Sequence, residues 1–131
     1  MRALDSNVLL RYLVGDDPHQ SAVAEEVFDA CREAQEPLFI PVLVFCETVW
    51  VLDRIYRQSK VQIIAALEPL FAMDSLRFEH DRAVRRAFDQ YRQSRADFSD
   101  YLIGEIASAA GCRDTVTFDR ALKGSPGFTL L

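Results

Sequence analysis

Five short β-rich runs recur along this chain, at residues 2–4, 38–40, 76–78, 115–117 and 128–131, with longer helical patterns between most of them. Strands that alternate with helices cannot pair as tight hairpins. They pair side by side in one direction, so the expected class is α/β with a mainly parallel sheet flanked by helices. Asp17 before Pro18 supplies an N-cap and a first-turn proline for a helix running to about Ala34, with Val23, Val27, Ala30 and Cys31 on one face. Further helices are expected over Asn7 to Val14, Val42 to Tyr56, Val61 to Met73 and Asp81 to Ser94. A last one carries Leu102, Ile103, Ile106, Ala107 and Ala110 and stops at Gly111, a C-terminal cap residue. A turn at Gly124-Ser125-Pro126-Gly127 leads into the final strand.

A length of 131 residues, half of them hydrophobic, suits one compact domain covering residues 1–131. Asp5 interrupts the start before any apolar stretch develops, so neither a secretory leader nor a membrane span is expected, and the cytoplasm is the default location. The three cysteines, Cys31, Cys46 and Cys112, lack C-x-x-C spacing and read as small buried thiols. His19 and His80 stand apart, without a second ligand-type residue three or four positions away, and read as surface or capping residues. No nucleophile elbow and no glycine-rich phosphate loop is present. The net charge of −5 argues against broad electrostatic binding to nucleic acid, although a local basic strip is compatible with it.

The acids carry more information. Glu47 has Leu43, Val44, Trp50 and Val51 as its same-face helical neighbours, which points it into or along the edge of the core, unless the helix is apolar nearly all round and the carboxylate reaches solvent at its end. Asp5 follows the first strand, at the carboxyl end where ligands of open α/β sheets collect, and can equally cap the next helix, as can Ser6. Asp97 and Asp100 are spaced as an N-cap and an acidic residue at the third helical position. Asp119 follows the fourth strand, with the Thr117 hydroxyl placed to cap the next turn. If the first and fourth strands are neighbours, Asp5, Asp100 and Asp119 converge and Glu47 can approach them. Two like charges about 4 Å apart cost about 4 kcal/mol at an effective dielectric near 20, so carboxylates gathered in this way call for raised pKa values or an intervening cation. An oxygen-only site selects Mg²⁺ or Mn²⁺, ions suited to phosphodiester cleavage.

Four segments in order, "LDSNVLLRYL" at 4–13, "PVLVFCETVWVL" at 41–52, "DFSDYLIGEIA" at 97–107 and "TFDRAL" at 117–122, resemble the PIN-domain ribonucleases. In size and motif order the chain is similar to the VapC-type toxins of bacterial toxin-antitoxin pairs. The resemblance implies a three-layer α/β/α fold around a mainly parallel sheet of four to five strands. It also implies Asp5, Glu47, Asp100 and Asp119 as the acids of a Mg²⁺- or Mn²⁺-dependent endoribonuclease, with Asp97 auxiliary. Asn7 would help order Asp5, and Ser6 stands where threonine is more usual. A homodimer, an RNA substrate and an antitoxin with a basic tail follow from the same resemblance. Arg11, Arg85, Arg86 and Arg92, with Arg82, Arg95 and Tyr91 nearby, are candidate RNA contacts, or else a solvated face balanced by Asp81 and Asp89. Phe45, Trp50 and Phe71 read as core. The competing readings are a PIN-like module that binds RNA or protein without cutting, and an aspartyl-phosphate phosphotransfer enzyme. The latter needs an aspartate at position 7, where asparagine stands.

Overall fold

A computed structural model describes residues 1–131, which divide into two compact units, Met1–Glu79 and His80–Leu131. In the first unit the strands β1 (Arg2–Ala3), β2 (Leu38–Ile40) and β3 (Leu76–Phe78) form a parallel sheet in that order. Between β1 and β2 run the helices α1 (Ser6–Leu13) and α2 (Pro18–Glu33). Between β2 and β3 come α3 (Val42–Arg54), α4 (Lys60–Leu67) and a 3₁₀ turn, Glu68–Ala72. The second unit holds α5 (Asp81–Gln93), α6 (Phe98–Ala109), β4 (Thr115–Thr117), a 3₁₀ turn at Arg120–Leu122 and β5 (Phe128–Leu130). Here β4 pairs with β5, again in parallel.

The α/β class with parallel strands thus stands as expected, but the strands lie in sheets of three and two rather than in one sheet of four to five. The strands are only two or three residues long, so each offers few backbone groups for pairing, and β4 satisfies its own with β5.

Local chemistry sets the helix ends. The Asp17 side chain accepts the Gln20 amide at 3.0 Å, and Pro18 follows at the first helical position, where its missing N–H costs nothing. Ser59 and Gln62 close a reciprocal capping box on α4. Pro41, at the start of α3, has no side-chain acceptor; Glu79 at the end of β3 instead accepts the Val42 amide at 2.8 Å, placing a carboxylate at the positive end of the helix. Gly111 adopts φ +90°, which lets its amide and that of Cys112 bond back onto the last turn of α6.

The core of the first unit is an aromatic cluster. Phe45 is fully buried, with ring centroids 5.6 Å from Phe71 and 5.5 Å from Phe78, and Leu38, Ile40, Leu52, Ile63 and Leu67 are buried as well. In the second unit Phe88, Tyr91 and Phe98 form another, with edge-to-face contacts from Phe98 to both of the others. Three sequence expectations change here. The buried face of α2 is Ala24, Phe28 and Cys31, rotated from the stripe expected, while Val23 is half exposed. Trp50 is 55% exposed and is not core. Of the cysteines, which are all free thiols, only Cys31 is buried; Cys112 is exposed.

In the second unit α6 and β5 meet at a glycine. A Cβ on Gly104 would lie 2.6 Å from Cζ of Phe128 and 2.8 Å from its Cε2. Gly104→Ala gains about 1 kcal/mol of helix propensity and costs about 1–3 kcal/mol of overpacking, for an expected net loss of up to about 2 kcal/mol. Thermal melts check this: combining it with Phe128→Leu should restore stability, and a melting temperature raised by Gly104→Ala alone would show that the ring swings away freely.

Candidate active site

Each acid singled out in the sequence has a definite structural setting. Asp5 follows β1 directly and occupies the N-cap position of α1 with extended backbone angles, yet its side chain makes no cap hydrogen bond. The competing role, a structural cap, is therefore not filled by this carboxylate, which is exposed. Ser6 is buried, and Asn7 lines a cavity of about 390 Å³ between α1 and α2 with Val8, Arg11, His19 and Val23.

Glu47 lies on α3, which follows β2, the strand beside β1, and α3 packs against α1. It does not point into the core as expected; it is exposed. The side of α3 that is buried carries Phe45, Thr48, Val49 and Leu52, whereas Leu43, on the Glu47 side, is 75% exposed. The helix is apolar nearly all round, so the apolar company of Glu47 marked a surface stripe and not a buried one.

In the second unit Asp97 and Asp119 both act on the charge of Asp100. Asp97 and Asp100 form the capping box of α6, with the Asp97 amide donating to Oδ2 of Asp100 at 3.2 Å. The Asp100 carboxyl is pushed above its ordinary pKa, first by partial burial and then by the charges of Asp97 and Asp119; the hydrogen bond from the Asp97 backbone works in the opposite direction. Asp119 is fixed from two sides. Its amide donates to Oγ1 of Thr117 at 3.0 Å, and its Oδ1 accepts the Ala121 amide at 2.8 Å. Thr117 and Asp119 after a strand thus form a side-chain-stapled turn, which holds one carboxylate oxygen and leaves the other uncommitted.

The candidate RNA contacts are more occupied than their sequence positions imply. Arg11 donates through Nε to Gln20 at 2.7 Å and through Nη1 to Asp16 and to the Tyr56 hydroxyl, both at 3.1 Å, while Tyr56 donates to Asp16 at 2.8 Å. Its guanidinium ties α1 to the turn before α2 and to the segment after α3. Arg85 is paired with Asp81, and Arg86 lies 3.6 Å from Glu105, whose carboxylate also accepts from Gln90. Arg92 sits 5.4 Å from the centre of the Phe88 ring.

No three or more His, Cys, Asp or Glu side chains are grouped closely enough to hold a metal ion, and no helix is long and apolar enough to cross a membrane. The donor chemistry nevertheless fits a hard divalent cation. All candidate ligands are carboxylates, the Asp5 side chain makes no cap hydrogen bond, and Asp100 bears the unfavourable charge of two neighbours, which a cation would relieve.

VapC ribonuclease from Aquifex aeolicus (strain VF5) is 28% identical to the chain over 123 residues, covering 94% of this chain and 90% of the relative. Among solved structures, Mycobacterium tuberculosis VapC20, described as a sarcin-ricin loop cleaving toxin, aligns over 95% of both chains with a TM-score of 0.44 and 15% identity. The PIN domain family model matches residues 2–124, taking in Asp5, Glu47, Asp97, Asp100 and Asp119, and on that match the chain belongs to the PIN domain family.

Proposed function

We propose that this PIN-domain chain is a divalent-metal-dependent endoribonuclease and the toxin of a toxin-antitoxin pair. The observation that carries the reading is the setting of Asp100 in the second unit: its carboxyl is pushed above the ordinary value first by partial burial and then by the charges of Asp97 and Asp119. Asp97 and Asp100 do cap α6, but ionised Asp100 is disfavoured where it stands, and a bound cation would offset that cost. The full-length similarity to a VapC ribonuclease supports the same chemistry.

In this reading Asp5, Glu47, Asp100 and Asp119 are the carboxylates that hold Mg²⁺ or Mn²⁺, and Asp97 is auxiliary. When bound, the ion supplies Lewis acidity, stabilising the charge that develops on phosphate oxygens and activating water. The chain's own residues do the rest. The Ala121 amide keeps the Asp119 carboxylate from rotating away while the Thr117 hydroxyl accepts the Asp119 backbone amide, and the Asp97 amide holds the Asp100 carboxylate. Side chains locked in this way lose little entropy when a ligand binds.

The antitoxin with its basic tail belongs to the same proposal and is supported by the net charge of −5. A homodimer and a cytoplasmic location complete it. The test is cleavage of structured RNA by the purified chain with added Mn²⁺, added Mg²⁺ or excess chelator. Cleavage that needs an ion and stops in chelator is expected. Cleavage that persists in chelator overturns the metal dependence, and binding without cleavage under every condition identifies a non-cutting module.

A further inference from the structure

The residue between Thr117 and Asp119 has no part in the chemistry described so far and no evident place in the fold. Phe118 is 82% exposed, the most exposed of the large hydrophobic side chains, although its neighbours in sequence are tied into a stapled turn. A bare phenyl ring on a rigid turn is a costly surface feature, and nothing in the second unit covers it. It lines a cavity of about 430 Å³ together with Arg120, Lys123, Leu130 and Leu131. Whereas Arg85 and Arg86 are turned toward Asp81 and Glu105, Arg120 and Lys123 stand exposed beside this ring in a chain whose overall charge is −5.

An aromatic face next to two cations, one residue from a candidate metal-ligating acid, matches what single-stranded nucleic acid presents: a flat base and a phosphate at a fixed short spacing. We propose that Phe118 is a stacking platform for an unpaired base of the RNA substrate, with Arg120 and Lys123 holding the flanking phosphates. The proposal rests on the ribonuclease reading. It adds that the substrate is engaged at an unpaired loop or bulge, because a base in a duplex has no free face for the ring. The stapling of Asp119 then has a second consequence. It holds the ring at a fixed offset from the Asp119 carboxylate, so the stacked base sets which phosphodiester is presented to the acids.

The experiment uses the full chain in chelator, where binding is read without cleavage, and a short single-stranded RNA carrying 2-aminopurine at successive positions. Stacking on Phe118 should change the fluorescence of 2-aminopurine at one position only. Phe118→Leu, which keeps apolar bulk but removes the aromatic face, should weaken binding by roughly 5- to 150-fold and abolish that signal. Phe118→Trp should retain both. The exposure of the ring predicts unchanged melting temperatures for these variants, so a binding loss is not a folding loss. Equal binding by Phe118→Leu and the native chain overturns the proposal, as does a Phe118→Leu variant whose defect is a change in oligomeric state, which would make the ring a contact between copies. The two readings fail separately: a position-specific signal without cleavage in any ion leaves the platform standing and removes the nuclease, whereas normal cleavage by Phe118→Leu does the reverse.

Discussion

Asp100→Asn is expected to cut RNA about 100-fold more slowly than the native chain, or worse, while folding at least as well. The two halves of this prediction have the same cause. Asp100 is partly buried and sits in the field of Asp97 and Asp119, so its ionised form is disfavoured and its pKa lies above the usual carboxylate value. Asparagine removes the charge and keeps an oxygen that can accept the Asp97 amide, now 3.2 Å from Oδ2. The sign with pH follows from the raised value. The native state binds this proton more tightly than the unfolded chain does, so ionised Asp100 costs stability at neutral pH, and that cost disappears as pH falls through the raised pKa. In chelator, therefore, the native chain should gain melting temperature relative to Asp100→Asn as the pH is lowered into the carboxylate range. Added Mn²⁺ should raise the melting temperature of the native chain more than that of the variant, since in the proposed site only the native chain would offer all the carboxylates. Melts and cleavage rates measured on the same preparations check this, and a variant that cleaves at the native rate would remove Asp100 from the site. Asp5→Asn should lose activity to a similar degree at little cost in stability, because the Asp5 carboxylate makes no cap hydrogen bond.

Phe45→Ala is expected to cost about 3–5 kcal/mol, the range for deleting a buried aromatic ring. Phe45 is fully inaccessible and contacts both Phe71 and Phe78, so the vacated space is walled by rings that cannot all collapse into it. Against a typical total stability of about 5–15 kcal/mol this is a large share, and a fall in melting temperature on the order of 20 °C follows for a unit of this size. Glu47 lies half a turn further along the same helix, so RNA cleavage should be lost together with the fold and not before it. Calorimetry separates this variant from Phe45→Leu, which keeps most of the apolar volume and should lose much less. A melting temperature indifferent to Phe45→Ala would show that the three rings are not the centre of the core.

The acids were legible in the sequence to different depths. Asp97 and Asp100 could be read as a capping box because the bonds that define one span a single turn, and the structure contains it. The Thr117–Asp119 staple is equally local, spanning two residues, and so is the cap that Asp17 provides for α2. Glu47 failed that kind of reading. Its apolar neighbours implied burial, but α3 is apolar around most of its circumference, and the face that is covered depends on which helices lie against it. Arg11 is a similar case. As a cation shortly after the first acid it looked available for RNA, but its partner Tyr56 is 45 residues away, and no periodicity connects the two.

What the chain of letters settled was everything decided within a turn or two of backbone: where strands and helices begin, which residues cap them, and the order of the acids along the chain. Pairing and burial were settled by folding. The division of five strands into sheets of three and two, the outward aim of Glu47 and Trp50, the commitment of Arg11 and the closeness of Asp100 to Asp119 all depend on contacts between residues far apart in sequence. The physical reason is one of range. A cap or a turn is stabilised by atoms a few bonds apart and leaves its signature in adjacent residue types, whereas a buried face or a shared electrostatic field exists only once distant segments have displaced the water between them.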